Sequence, residues 1–383
     1  MKYMQLKALF CLLLLAAPAQ AEEAGVAADR ILFGQAAAMS GPSSALGVKM
    51  RQGILAAFAE VNAKGGVHGR KLELISRDDG YDPDRSVLQT FKLIEEDKVF
   101  ALIGAVGTPT TLVTVPIAKA QNIPFIGPFT GAGFLRGNDL ANVVNIRASY
   151  AAEAESWIKH LTEDRHLKRI AIFYQDDPYG RDGLTGVKLA LERRGMELAA
   201  EATYERNTKA VASAMRTLRR AEPEAVVMVG TYAPCAEFIK LARKSGFNPV
   251  FVNISFVGAV ALAQELGHEG EGVIVSQVVP FPWDTSIKVV ADYQAAGRLL
   301  DPEMEPDFVS LEGYLSARLA AAALEMAGPN PTREAFLRVI NAVGRFDISG
   351  DHVAVGQTPH DAASDVFLTV IQGDGTFASV NKL

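Results

Sequence analysis

Six turns in this sequence carry residue types suited to holding a small polar or anionic molecule. They share one layout: a β-rich apolar run, a short polar stretch, and then the start of a helical pattern. The most suggestive is Gly104-Ala105-Val106-Gly107-Thr108-Pro109-Thr110-Thr111. Thr108 suits the cap of the helix that follows and Pro109 suits its first turn. The free backbone N–H groups of such a helix start make a seat for a carboxylate, although the same composition also serves an ordinary βα turn. Ala38-Met39-Ser40-Gly41-Pro42 and Pro128-Phe129-Thr130-Gly131-Ala132-Gly133 are its counterparts in the first half. In the second half the turns are Gln175-Asp176-Asp177-Pro178-Tyr179-Gly180, Gly230-Thr231-Tyr232 and Asn253-Ile254-Ser255-Phe256. Tyr179 and Tyr232 stand at strand ends, where a phenol can both pack and hydrogen-bond; a half-buried surface aromatic would look the same.

Catalytic chemistry finds little purchase. His68, His160, His166, His268, His352 and His360 have no metal-ligand spacing with one another or with a cysteine. Ser40 lies in Ala-Met-Ser-Gly-Pro and not in a nucleophile elbow. Gly131-x-Gly133 with Gly137 misses the dinucleotide spacing by one residue, and no phosphate-binding Walker pattern occurs. Asp78-Asp79 reads as a metal pair or, after a strand, as a turn cap. Cys235, at a predicted helix start, lacks a placed histidine partner and reads as a small packed residue. The expectation is a protein without catalysis, metal or cofactor.

These turns need a scaffold, and the hydrophobic pattern supplies one. Residues 31–37 read as a strand and 45–64 as a helix with Ile54, Leu55, Phe58 and Val61 on one face. A strand at 71–76, a helix through 87–94, a strand at 100–104, a helix at 110–121 and a strand at 124–127 continue the series. The pattern restarts with a helix at 151–163, followed by strands at 169–174, 197–203, 225–229 and 250–253 and helices at 179–194, 209–221 and 234–245. Strictly alternating β and α predicts an α/β chain of two doubly wound parallel-sheet lobes. In such sheets a ligand binds beyond the carboxyl ends of the strands, where all six turns lie. After 273–279 come helices at 287–300, 308–327 and 332–343, which return to the first lobe. A β-hairpin around Gly373-Asp374-Gly375 finishes the second. The expected lobes are 29–147 with 280–350, and 148–279 with 351–383, joined by a hinge of several crossovers.

Composition fits this picture. At 49% hydrophobic residues the 383-residue chain can fill real cores. Lys2 and Lys7, an apolar run over 8–17 and Ala19-Gln20-Ala21 read as a cleaved signal peptide, 1–21. That run is about ten residues, against the roughly 20 needed to span a bilayer. Cleavage removes Cys11, two lysines and no acid, so the formal charge moves from −6 to −8. A mildly acidic surface of mixed sign argues against nucleic-acid and anionic-membrane partners.

Ala38–Pro42, the stretch Glu60-Val61-Asn62-Ala63-Lys64-Gly65-Gly66-Val67-His68-Gly69-Arg70-Lys71-Leu72, and Asp78-Asp79 resemble the opening of leucine/isoleucine/valine-type periplasmic binding proteins. These are the solute receptors of branched-chain amino-acid-type ABC importers, and the later elements follow the same order. The resemblance implies a two-lobed, monomeric periplasmic clamp that delivers a small polar organic ligand to ABC transporter permease subunits in the inner membrane. The same clamp also serves periplasmic sensors. By position, the resemblance seats a ligand carboxylate on Thr108, Pro109 and Thr110 and on the turn Phe129, Thr130 and Gly131, with Tyr179 and Tyr232 closing from the second lobe. Two departures bear on the ligand. The acid that holds an amino acid's ammonium is replaced by Ser255, and an entry-turn aromatic by Leu46. Either another acid substitutes, Glu312 or Asp177, or the ligand lacks an ammonium; Glu312 also suits a helix-dipole partner.

Overall fold

The computed structural model describes residues 23–137, 139–354, 366–380 and 382. The signal-peptide reading, Cys11 and His360 fall outside them. The first sheet is assembled from β1 (Arg30–Ala37), β2 (Lys71–Asp78), β3 (Ala101–Ile103), β4 (Phe125–Ile126) and β5 (Val143–Val144), in the spatial order β2-β1-β3-β4-β5. Every pairing in it is parallel. Its helices are α1 (Ser44–Ala63), α2 (Pro83–Phe91) and α3 (Thr108–Ala120). Alternate residues of β1 face opposite ways: Ile31 and Phe33 join α1 in one core, while Leu32 and Ala36 meet Leu93, Ile94 and Val115 on the other face. This is the double winding that the pattern predicts. The fifth strand is an addition to that reading, because two residues between turns are too short to show a period.

The second half begins with α4 (Tyr150–Lys159) and proceeds through β6 (Ile170–Gln175), α5 (Pro178–Glu192), β7 (Ala200–Tyr204), α6 (Ala212–Ala221), β8 (Ala225–Val229), α7 (Tyr232–Lys244) and β9 (Val250–Asn253). A helix that periodicity did not reveal, α8 (Ala259–Leu266), precedes β10 (Ile274–Gln277). Strand starts and helix caps follow local chemistry. Asp177, for instance, accepts hydrogen bonds from Tyr179 N and Gly180 N and places Pro178 in the first turn of α5.

Three helices follow: α9 (Lys288–Leu300), α10 (Phe308–Ala327) and α11 (Arg333–Val343). A two-stranded ribbon of β11 (Arg345–Ile348) and β12 (Asp351–Ala354) comes next and touches α10. The expected division at 350/351 falls in the turn of this ribbon. The final hairpin, β13 (Phe367–Ile371) and β14 (Phe377–Val380), adds antiparallel to β10. The second sheet thus runs β14-β13-β10-β9-β8-β6-β7. Among the described residues the chain passes between the sheets at 145–149 and at 278–287.

Helices α9 and α10 pack on α1 of the first sheet. At the α1–α10 crossing the two backbones meet directly. A Cβ on Gly53 would lie 1.7 Å from Ser310 O, and one on Gly313 would lie 2.3 Å from Met50 O. Gly53→Ala is therefore expected to force the helices apart and to destabilise the protein by about 1–3 kcal/mol. Urea unfolding of the variant tests this, and unchanged stability would mean the backbones are not in contact.

Candidate functional site

The carboxyl ends of the two sheets face each other, and the turns there supply contacts between the lobes. After β2, Asp78 and Asp79 do not form a metal pair; they cap turns. Asp78 accepts from Met39 N, the Ser40 hydroxyl and Gly80 N, which hold its pKa near 2 despite burial. Asp79 accepts from Tyr81 N and the Ser86 hydroxyl, yet burial pushes its pKa up to about 6. Together they fix Tyr81, a fully buried residue at φ +60°. Its ring reaches across to the second lobe, and its hydroxyl accepts from Gln175 Nε2 at 3.1 Å.

After β3 the chain turns through Gly107 (φ +103°) into α3. A Cβ there would sit 2.2 Å from the Tyr81 ring, so glycine is required both for the turn and for the close approach. Thr108 Oγ1 lies 2.7 Å from Thr130 Oγ1, which joins the β3 and β4 turns. Pro109 is buried at the first turn of α3. Thr110 is beside them, but its hydroxyl donates back to Val106 O and to Gly107 O (2.9 Å) and so is committed to its own loop. Gly131 allows the first crossover to pack closely, since a Cβ would lie 2.7 Å from the Tyr150 ring.

From the second lobe, Tyr179 begins α5 and donates its hydroxyl to Gly230 O at 3.2 Å. Tyr232 begins α7, and its hydroxyl accepts from Ala45 N across the lobes at 3.4 Å. Phe256, next to Ser255, is wedged between the lobes. Its ring centroid is 5.1 Å from Phe129, 6.1 Å from Tyr81 and 4.7 Å from Tyr179. Leu46 meets the same turn: a Cβ on Gly258 would fall 2.5 Å from its Cδ2.

Beneath this aromatic box lies a charge cluster centred on Arg147, in the first crossover. Its guanidinium is 1% exposed and stacks 4.8 Å over the Phe129 ring. Nη2 donates to Ser255 Oγ and lies 3.6 Å from Glu153 Oε1, and Nη1 lies 3.5 Å from Glu312 Oε1. Glu153, on α4, accepts from Ser255 N and Ser255 Oγ, both at 2.9 Å, and from Ser276 Oγ. Burial pushes the Glu312 carboxyl up to about 7, only partly offset by Arg147 and reinforced by the Glu153 charge. Against the pull of burial, the charges of Glu312 and Glu153 keep Arg147 above its usual value. Ser255 and Glu312 thus come together through an arginine. Asp177 stays apart as the α5 cap, with Gln175 Nε2 at 2.6 Å and Arg206 at 3.5 Å.

Thr108, Pro109, Phe129, Thr130, Gly131, Tyr179, Tyr232, Ser255 and Glu312 therefore surround one junction between the lobes. Sequence reasoning missed Tyr81, Arg147, Tyr150, Glu153 and Phe256. The available signal was an isolated arginine in the short polar link Asn145-Ile146-Arg147-Ala148-Ser149 between a strand and a helix. Among the described residues no His/Cys/Asp/Glu group has the arrangement of a metal site, and no helix is long and apolar enough to cross a membrane.

Residues 30–376 match the family described as "Periplasmic binding protein". A "possible leucine/isoleucine/valine-binding protein" of Rhodopirellula baltica superposes with a TM-score of 0.86 at 38% identity, over 94% of this chain and 98% of that one. The "Amino acid binding protein" of Pseudomonas aeruginosa is 21% identical over 80% of this chain and 81% of its own length. From the same organism, the "Leucine-, isoleucine-, valine-, threonine-, and alanine-binding protein" is 25% identical over 79% and 80%.

Proposed function

Because the chain belongs to the periplasmic binding protein family, of the leucine/isoleucine/valine-binding type, we propose that it captures a small polar organic molecule by closing its two lobes and delivers it to an ABC importer in the inner membrane. It is a solute-binding protein and not an enzyme. The family points to a location outside the cytoplasm, and residues 1–21 are proposed as the signal that takes it there.

The observation that carries this reading is the meeting of the two sheets at their carboxyl ends. Phe256 of one lobe packs against Tyr81 and Phe129 of the other. Tyr232 and Gln175 hydrogen-bond across the same junction. Ligand binding adds contacts available only when the lobes are together and so shifts the hinge toward closure. The first lobe comprises 29–147 with 280–350, to which the β11–β12 pairing adds 351–354; the second comprises 148–279 and the terminal hairpin. Thr108 and Thr130 are proposed to hold the ligand's polar head, with Pro109 and Gly131 shaping the two turns and the aromatic rings covering its body.

Equilibrium binding of small carboxylates, amides and amino acids to the mature protein tests the proposal. A ligand at 100 times its dissociation constant should stabilise the protein by about 2.7 kcal/mol. Thr108→Val should weaken binding of that ligand by about 1–3 kcal/mol, because a buried partner loses its hydrogen bond. Unchanged affinity in this variant would move the site away from the α3 turn.

A further inference from the structure

Resting on the clamp reading above, we infer that the ligand is a small organic carboxylate without an ammonium group and that Arg147 is the residue that selects it. The argument is a count of what the buried junction still offers. Glu153 is already served on both oxygens by Ser255 N, Ser255 Oγ and Ser276 Oγ, with Arg147 Nη2 3.6 Å away. Asp177 is held by Tyr179 N, Gln175 Nε2 and Arg206. On the donor side, Arg147 Nε and Nη1 are buried without a hydrogen-bond partner among the described residues. The unpartnered carboxylate oxygen that faces this group is Glu312 Oε1, 3.5 Å from Nη1.

At the guanidinium, two unpartnered nitrogens therefore stand against one unpartnered carboxylate oxygen, and both buried acids already flank that single cation. A ligand ammonium placed here would meet the guanidinium at close range, and the acid left to offset the repulsion, Glu312, is already ion-paired with Arg147 Nη1. A carboxylate would instead receive charge-assisted hydrogen bonds from a planar, multiply donating group whose orientation is fixed by Phe129 and Ser255. The rings of Phe129, Tyr150, Tyr179 and Phe256, mutually 4.7–5.4 Å apart where they touch, favour an apolar or aromatic body on that carboxylate. Glu312, raised toward neutrality by burial, opposes an incoming anion less than an ordinary carboxylate would.

Matched pairs differing only in the ammonium test this: L-phenylalanine against 3-phenylpropanoate, and L-leucine against 4-methylpentanoate, by calorimetry on the wild-type mature protein at pH 7.5. At least one ammonium-free member is expected to bind ten times or more tighter than its amino-acid partner. Arg147→Lys, which keeps the charge and loses the planar fork, should weaken that binding at least tenfold. Should this variant not fold, Glu312→Gln serves instead, since removing the acid opposite Arg147 should tighten carboxylate binding. Tighter binding of the amino-acid members, equal binding of both members, or unchanged or weaker carboxylate binding in Glu312→Gln would overturn the inference and leave the clamp standing. If neither member of either pair bound, the inference would fall; the clamp reading would fall with it only if the wider panel of amides and amino acids bound nothing as well.

Discussion

Arg147→Met is expected to destabilise the protein by about 3–5 kcal/mol, the range for removing one partner of a buried charge cluster. The reason lies in what remains. Glu153 and Glu312 are 0% and 2% exposed, and without the guanidinium they become two like charges in a low-dielectric interior. Methionine fills much of the same volume, so the loss reports charge and not a cavity. Neutralising a carboxylate in the variant should then recover stability. Arg147→Met/Glu312→Gln is expected to be more stable than Arg147→Met alone, by more than Glu312→Gln changes the wild type, a coupling that additive packing effects cannot produce. Urea unfolding of the four proteins in the cycle measures it. A loss below about 1 kcal/mol in the single variant, with no recovery in the double, would mean that the three charges do not share a buried site.

The second large effect is a pH dependence of stability set by Glu312. Its carboxyl titrates near 7 in the folded protein against 4.5 in a free chain. The folded state therefore holds the proton more tightly. Stability from this group is fully present below about 4.5 and is lost as pH rises through about 7, by roughly 3 kcal/mol in total. Asp79, raised to about 6 by burial, adds a slope of the same sign at lower pH. Asp78, lowered to about 2, contributes stability that is lost only as pH falls below 3.8, outside this window. The unfolding free energy of wild type minus that of Glu312→Gln should thus fall between pH 4.5 and 7 and be flat on either side. Parallel curves across that window would show that Glu312 ionises as an exposed acid does.

Much of the fold was legible because its signal repeats. Strands such as 225–229 and 250–253 were bounded correctly from apolar runs between turn residues, and α10 was bounded correctly as 308–327. What escaped was short or locally ambiguous. β5 has two residues, and α8 is an eight-residue apolar stretch that a window of helical length cannot separate from a buried strand. The β11–β12 ribbon has strands of only four residues each, too short to show a period. The site divided in the same way. Thr108, Thr130, Tyr179, Tyr232 and Ser255 sit at the ends of regular strands, so topology alone gathers them at one junction. Arg147 and Glu153 belong to a crossover and the helix after it, where position along the chain carries no period. Their meeting depends on how the second lobe returns, and that is a property of the hinge. Thr110 gives the converse lesson: the right residue type in the right turn can spend its hydroxyl on its own backbone.

The central claim is that the chain is a clamp, and small-angle X-ray scattering of the mature protein tests it most directly. The radius of gyration would be compared without ligand and with a saturating concentration of the tightest binder from the panel. The account predicts a smaller radius in the bound state, approaching the value calculated for the closed arrangement in which Phe256 touches Tyr81 and Phe129. An unchanged radius with a verified, saturating ligand would contradict it, because binding would then proceed without hinge closure.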